Sequence, residues 1–383
     1  MFRKVNFLKK FLLIILIFIP SIALATAPPA ISGKNAIAIE TSSGRIIYEK
    51  NAFDTANIAS TTKIMTAIVA VENNSLDEIV TVSKNATNTP GSSIDLKEND
   101  QIKLSELLYG LMLNSGNDAA VAIAEHTSGS VGEFAELMNK KAVEIGALNT
   151  HFVTPHGLDK NSHYSTAYDM ARIAQYALKN PTIQKLVSTQ YYTMSFVNEK
   201  TTNLKNTNPL LSFYPGITGM KTGYTGLAGK CLVASAKREG LEIIVVTLGE
   251  PSSKLRINDT VKILDYCFEN YKMYDLRELY PINFSINVKK AIESSFIPIY
   301  SEKLYLPLSE DEKENIKIKK YIDKDLIAPI NDHQNIGKVQ FKIGEDVLGE
   351  IGISTPYKIE RISLSQYYSI IFDTFLSFEK YVY

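Results

Sequence analysis

The chain opens on a cationic stretch (Arg3, Lys4, Lys9, Lys10), an apolar run from Phe11 to Pro20, and small residues at Ala23, Ala25 and Ala27. That order predicts a secretory signal peptide over residues 1–27, cleaved after Ala25 or Ala27. Its apolar core falls short of the about 20 residues that span a bilayer, so a retained anchor is the lesser alternative. Ala36 to Glu40 and Arg45 to Tyr48 flank Thr41-Ser42-Ser43-Gly44 and read as a β-hairpin. Ile64, Met65, Ala67, Ile68 and Val71 then recur at helical spacing, with no Gly or Pro before Pro90, which places Ser60 at a helix N-terminus. Helical patterns follow over Leu104 to Leu113, Ala119 to His126, Phe134 to Ile145 and Thr166 to Leu178, with loops at Ser128-Gly129 and Thr154 to Asn161. Strand-like runs return at Tyr191 to Phe196, Lys230 to Ala236 and Leu241 to Leu248, before a helix from Leu255 to Tyr271. A hairpin, then helices, strands and a helix imply an α+β fold: one antiparallel sheet covered by helices.

After Tyr271 the pattern changes. Pro281, Pro298, Pro307, Pro329 and Pro356 punctuate short alternating runs such as Lys338 to Ile343, which predicts a small β-rich domain. From Leu364 the chain turns helical again, with Leu364, Tyr368, Ile371, Phe375, Phe378 and Val382 on one face and Gln366, Ser369, Asp373, Ser377 and Lys380 on the other. The expected division is a signal peptide over 1–27, a catalytic domain over 28–272, a β-rich domain over 273–362 and an amphipathic helix over 363–383. Asp373, Glu379 and Lys380 interrupt the tail, so it lacks a membrane-spanning run. Its aromatic apolar stripe suits a helix lying on a membrane surface. The alternative is a terminal helix packed on the β-rich domain.

Charge narrows the function. Lys+Arg and Asp+Glu both number 41, and removing the leader takes away four positive charges, leaving 37 against 41 and a net charge of −4. An anionic exported protein has no basic field for counterion release, so nucleic acid is not an expected partner. Cys231 sits in the apolar run Cys231 to Ala234 and Cys267 in a helical pattern; two buried thiols are expected, although export would permit a bridge. No Cys/His cluster has zinc spacing, so no metal or other cofactor is expected.

The candidate chemistry lies in three short motifs. Ser60-Thr61-Thr62-Lys63 sets a hydroxyl and an amine one helical turn apart on one face. Ser115-Gly116-Asn117 precedes an alanine-rich helix, and Lys221-Thr222-Gly223 lies between Gly219 and the strand beginning near Lys230. Each alone is a common tripeptide or tetrapeptide. Together and in this order they resemble the Ser-x-x-Lys, Ser-x-Asn and Lys-Thr-Gly motifs of the serine penicillin-recognising D,D-peptidases and β-lactamases. The neighbourhoods Ala59 to Ala67, Leu113 to Ala120 and Gly219 to Thr225 narrow the resemblance to the low-molecular-mass penicillin-binding D-alanyl-D-alanine carboxypeptidases. Pro155-His156-Gly157-Leu158-Asp159 and Ser165 to Met170 are similar to that family too, and the likeness covers about residues 30–270.

Physical roles follow for these residues. Ser60 needs a base, and a neutral, desolvated Lys63 would serve, its pKa lowered further by Lys221. Ser115 and Asn117 would complete a proton path and hold the substrate amide, and the amides of Ser60 and Tyr224 would form the oxyanion hole. The resemblance implies that Lys221 and Thr222 bind the terminal carboxylate, with Asn117, Gly223 and Tyr224 also substrate-binding, that the substrate is the peptidoglycan stem pentapeptide ending in D-Ala-D-Ala, and that β-lactams acylate Ser60. It also implies an exported enzyme held peripherally at the periplasmic face of the cytoplasmic membrane by its C-terminal helix. His126, His151, His156 and His163 are expected to be structural or surface residues, not bases. Arg256 and Asp259, one turn apart, are expected to form an exposed ion pair, with a place at the site edge as the alternative. Asn206 and Asn208 flank Thr207 where the family often has Arg. A β-lactamase is the first rival, disfavoured because the middle motif is Ser-Gly-Asn and no Glu-x-x-Leu-Asn loop occurs between Ser115 and Lys221. A scaffold with a vestigial site is the second, disfavoured because all three motifs are intact.

Overall fold

The computed structural model describes residues 27–323 and 326–379, and side chains up to residue 373. The expected leader, apart from Ala27, and Val382 of the tail stripe lie outside the described residues. A hairpin of β1 (Asn35–Glu40) and β2 (Ile46–Lys50) begins the fold. The sheet is completed by β3 (Ile217–Thr225), β4 (Gly229–Arg238) and β5 (Leu241–Glu250). All neighbours are antiparallel, in the order β2-β1-β5-β4-β3. The expected antiparallel sheet covered by helices is therefore present.

Burial on both faces explains why β5 is almost uniformly apolar. Ile244, Val246 and Leu248 join Ile37, Ile39 and Val233 under the helical lobe, whereas Ile243 and Val245 join Ala36, Ala38 and Leu232 under the long helix Ser253–Asn270. The helical lobe consists mainly of α1 (Lys63–Asn73), α2 (Leu104–Leu113), α3 (Asn117–Ser128), α4 (Val131–Ile145), α5 (Ala167–Ala177) and α6 (Pro181–Ser188). On α1, Ile64, Met65 and Ile68 are buried in the larger core, each side chain contributing about 1.5–3 kcal/mol by leaving water.

Three elements depart from expectation. Lys221 lies within β3, an edge strand whose sequence, with Gly219, Gly223 and few apolar residues, does not alternate. The run Tyr191–Ser195 is a strand, but it pairs with Thr201–Lys205 in a separate ribbon outside the main sheet. Helix α6 was not anticipated, although Asn180 caps it and Pro181 occupies its first position.

Past Tyr271, a second core gathers Leu276, Val339, Phe341, Ile351 and Ile353 among others. Its main sheet has four antiparallel strands, in the order Ile299–Tyr300, Asp346–Ser354, Asn335–Ile343 and Lys317–Ile322. The tail is helical over Leu364–Glu379, and its side chains from Leu364 to Asp373 are all exposed instead of packed on this core. No helix among the described residues is long and apolar enough to cross a membrane. The two cores are bridged at Arg45, whose guanidinium meets both carboxylate oxygens of Glu312 and the carbonyl of Pro307.

Both partners of that bridge are largely screened from water, so its loss is felt. Arg45→Ala is expected to cost about 1 kcal/mol and to speed amide exchange across Tyr305–Leu308, read by hydrogen-exchange mass spectrometry. Unchanged exchange there would show that the bridge does not couple the two cores.

Candidate active site

Ser60 lies in a short 3₁₀ turn, Ala59–Thr62, that leads directly into α1. The expected helix start is thus tighter than an α-helical first turn. Ala59 takes the left-handed conformation (φ 48°), and the turn is held by hydroxyls: Thr61 donates to Ile58 O (2.6 Å) and Thr62 to Ala59 O (2.8 Å). His163 Nδ1 accepts the amide of Val153 at 3.0 Å, so its proton sits on Nε2, which donates to Thr62 Oγ1 at 2.9 Å. Gly157 presses against the same turn; a Cβ there would stand 2.0 Å from Ala59 O. A left-handed alanine before the nucleophile is a strained geometry that this surrounding packing holds in place.

Lys63 is fully buried. Its Nζ donates to Ser60 Oγ (3.0 Å), Asn117 Oδ1 (2.7 Å) and the carbonyl of His156 (2.9 Å). Two of those partners can only accept. A neutral amine keeps two N–H groups, enough for both carbonyl oxygens, and turns its lone pair to Ser60. Burial first, and then the charge of Lys221, hold Lys63 well below its ordinary pKa, with Asp118 opposing.

Asn117 is itself pinned, its Nδ2 donating to Pro90 O at 2.7 Å and its backbone amide to Ser92 O at 2.7 Å. The loop carrying those carbonyls is fixed by buried Asp118, which accepts from Ser93 Oγ and the amides of Ile94 and Leu96. Ser115, left-handed at φ 64° and buried, has no hydrogen-bond partner for its hydroxyl among the described residues.

The edge strand β3 forms the opposite wall. A Cβ on Gly223 would lie 3.0 Å from the Ser60 amide nitrogen and 3.1 Å from Ile58 O, so glycine is what lets this strand pass the nucleophile. Lys221 is buried, donates to Thr222 O at 3.1 Å, and has its pKa brought down to about 7 by burial first and Arg256 second. Thr222 and Thr207 share a hydrogen bond between hydroxyls at 2.7 Å, so Thr207 stands beside the third motif while Asn206 and Asn208 brace its loop. Tyr224 is exposed, with the Lys230 ammonium over its ring. Asp159 ties the end of β3 to the Pro155-to-Asp159 loop, accepting from Thr225 Oγ1 at 2.7 Å.

The expected exposed pair of Arg256 and Asp259 is corrected. Both are buried and they do not pair: Arg256 donates to Cys231 O at 3.4 Å with its Nε unpartnered, and Asp259 accepts from the Ser32 amide and from Lys262. The long helix carries them against the sheet, where Arg256 stands behind Lys221. Both cysteines are free and buried, as expected. Burial foremost lowers the pKa of His156 to about 3 and of His163 to about 4, so both rings are neutral braces. His126 pairs with Glu78, and His151 bonds Ser162 O. Among the described residues no His, Cys, Asp and Glu side chains group as a metal site.

The profile described as D-alanyl-D-alanine carboxypeptidase matches residues 22–252, and that of the penicillin-binding protein 5 C-terminal domain matches residues 268–361. The chain belongs to the D-alanyl-D-alanine carboxypeptidase family. It is 38% identical over 332 residues to D-alanyl-D-alanine carboxypeptidase DacF of Bacillus subtilis, covering 85% of each chain. Penicillin-binding protein 5 of Haemophilus influenzae superposes with a TM-score of 0.74 at 30% identity, covering 88% of this chain and all of that one. The D,D-transpeptidase of Streptomyces K15 gives 0.61 at 36% identity, over 63% of this chain and 99% of that one. As a D-alanyl-D-alanine carboxypeptidase of this family, the protein is a serine-type, penicillin-recognising enzyme of cell-wall metabolism.

The two lysines allow a pH test of their expected roles. If Lys63 takes the proton it must be neutral, and kcat/KM should rise as pH climbs through its lowered pKa; if Lys221 holds an anion it must be charged, and kcat/KM should fall as pH passes about 7. Arg256→Met removes a cation that depresses Lys221, and the alkaline limb for a free-acid peptide is expected to move to higher pH. A limb that stays in place or moves down would show that it does not belong to Lys221.

Proposed function

We propose that Ser60 is the nucleophile, Lys63 its base, and Ser115 the relay that returns the proton to the leaving amine. Ser60 Oγ attacks the carbonyl carbon between the last two D-alanines as its proton passes to Lys63 Nζ. The amides of Ser60 and Tyr224 stabilise the oxyanion, which lies where Gly223 lets β3 approach. Collapse breaks the C–N bond, the terminal D-Ala leaves with the proton, and water then hydrolyses the acyl-enzyme. Lys221, Thr222 and its partner Thr207 bind the terminal carboxylate, and Asn117 holds both Lys63 and the substrate amide. The free edge of β3 lets the stem peptide lie along it as an added strand. The observation that carries this reading is the 3.0 Å contact of Lys63 Nζ with Ser60 Oγ, with the rest of the amine occupied by two carbonyl oxygens.

The rest of the chain serves this chemistry. Residues 1–27 direct export, 28–272 carry the site, 273–362 form the β-rich domain, and 363–383 lie on the periplasmic face of the cytoplasmic membrane. In support of the last part, Leu364, Tyr368 and Ile371 share one exposed face of the tail helix.

Incubation with a labelled penicillin followed by mass spectrometry is expected to place the adduct on Ser60. In Ser60→Ala both the adduct and D-Ala release should vanish, while thermal stability changes by no more than about 2 kcal/mol. Substantial D-Ala release by that variant would overturn the nucleophile assignment. For the tail, a chain ending at Ser363 and expressed with its leader is expected to leave the membrane fraction and keep its peptidase activity. A full-length protein that is equally soluble and does not sediment with vesicles would refute the anchor.

A further inference from the structure

The tail helix does not hang from a loose thread. The hairpin of Ile286–Asn287 and Ser295–Phe296 turns through Lys289 to Ser294, and its tip is stitched to the segment that enters the helix. The amide of Ile292 donates to Glu360 O (3.1 Å), the amide of Ile362 donates to Lys290 O (3.0 Å), and Ala291 pairs with Arg361. On its other side the hairpin is held at Lys289, whose amide donates to Leu326 O (2.8 Å) and whose carbonyl accepts from Ala328 (2.9 Å). The root of the helix is thus part of the β-rich domain.

These bonds gather apolar side chains on the outside of the fold. Ile292 (51% exposed), Ile327 (47%) and Tyr357 (45%) sit around the helix root, although a folded β-rich domain could have buried them. Basic groups stand among them: Lys290 and Arg361 are exposed and have no ion-pair partner among the described residues. Of the nearby acids, Glu360 pairs with Lys358 (2.6 Å), whereas Glu293 accepts only from the neutral Tyr357 hydroxyl (2.6 Å) and keeps its charge. With Lys290, Lys358 and Arg361 set against Glu293 and Glu360, the charge on this face is still net positive, by one.

We propose that the base of the β-rich domain, the hairpin tip around Lys290 and Ile292 with Ile327, Tyr357 and Arg361, is a second membrane contact that docks on an anionic phospholipid bilayer beside the tail helix. The proposal rests on the reading of the tail as a surface-lying helix. Apolar side chains flanked by unpaired cations match an interface in which acyl chains lie just beneath anionic headgroups. A wall polyanion would engage the cations but leave the isoleucines in water. One helix fixes only the distance to the membrane, whereas a helix together with a rigidly attached hairpin fixes the orientation of the domain that carries the site.

The chain contains no tryptophan, so a single introduced indole reports depth without background. Full-length Ile292→Trp is expected to shift its emission to the blue and to be quenched by bromine-labelled acyl chains on vesicles of phosphatidylglycerol and phosphatidylcholine. Val347→Trp, at an exposed position beside the turn that joins strands Asn335–Ile343 and Asp346–Ser354, is expected to do neither. The double variant Lys290→Glu, Arg361→Glu should lose at least about tenfold in partitioning onto phosphatidylglycerol vesicles relative to phosphatidylcholine, each basic group near such a surface being worth roughly fivefold. Its melting temperature and D-Ala release should be unchanged. If the full-length protein sediments with vesicles but the Ile292→Trp emission does not respond, or the double variant partitions like the parent, this proposal falls and the tail reading stands. If the full-length protein does not sediment with vesicles at all, or binds only isolated cell-wall polymer, both fall.

Discussion

Two lysine side chains, Lys63 and Lys221, are buried within reach of each other's charge, and most of the site can be understood as what that burial requires. An ammonium group inside a protein is costly unless it is fully hydrogen-bonded or gives up its proton. Lys63 has three partners, of which only the serine hydroxyl can yield a proton, so the relief available to the amine is also the activation of Ser60. Among the described residues Lys221 donates to one carbonyl, has a buried arginine behind it and is paired with no carboxylate. On the proposed reading, the terminal carboxylate of the substrate would supply the missing negative charge.

Holding that arrangement is a matter of short straps. The Pro155-to-Asp159 loop supplies the His156 carbonyl to Lys63, sets Gly157 against the nucleophile turn and ties its carboxylate to the end of the edge strand. The Ser92-to-Leu96 segment, fixed by Asp118, holds Asn117, and Asn117 holds Lys63. Neither strap needs to touch substrate. Each converts buried backbone polarity into the position of one amine, because a carbonyl anchored in a packed loop cannot swing as a side chain would.

The sheet and most helices of the catalytic domain are legible in the sequence because burial imposes strong periodicity: Leu241 to Leu248 reads as a strand and Leu104 to Leu113 as a helix. What escapes is what the site modifies. β3 lacks alternation because its residues face a nucleophile on one side and a single neighbour on the other, and the ribbon Tyr191–Ser195 looks like any half-buried strand until its partner is known. The motif residues could be singled out by type and order. Thr207 shows in the sequence only as a departure from the family's Arg, and Pro90 and the His156 carbonyl do not show at all, since their roles come from contacts across the fold and a carbonyl leaves no mark in the residue code. Arg256 and Asp259 were misplaced because an i, i+3 pair of opposite charges reads as a surface pair unless one knows that their helix lies against a sheet buried on both faces.

The absent side chain at Gly223 also bears on how such an enzyme could escape its inhibitors. On the proposed mechanism an inhibitor that acylates Ser60 passes through the same gap between β3 and the Ala59–Thr62 turn as the peptide does, and a Cβ at Gly223 would make strand or turn give by a few tenths of an ångström for both alike. Narrowing the gap offers no selectivity, because drug and substrate make the same demand on it. Selective change has to come from the rim, where the exposed side chain of Tyr224 stands beside the channel without setting its width. Room for selective change therefore lies in the side chains that border the gap, because the gap itself is set by backbone and by a side chain that is not there.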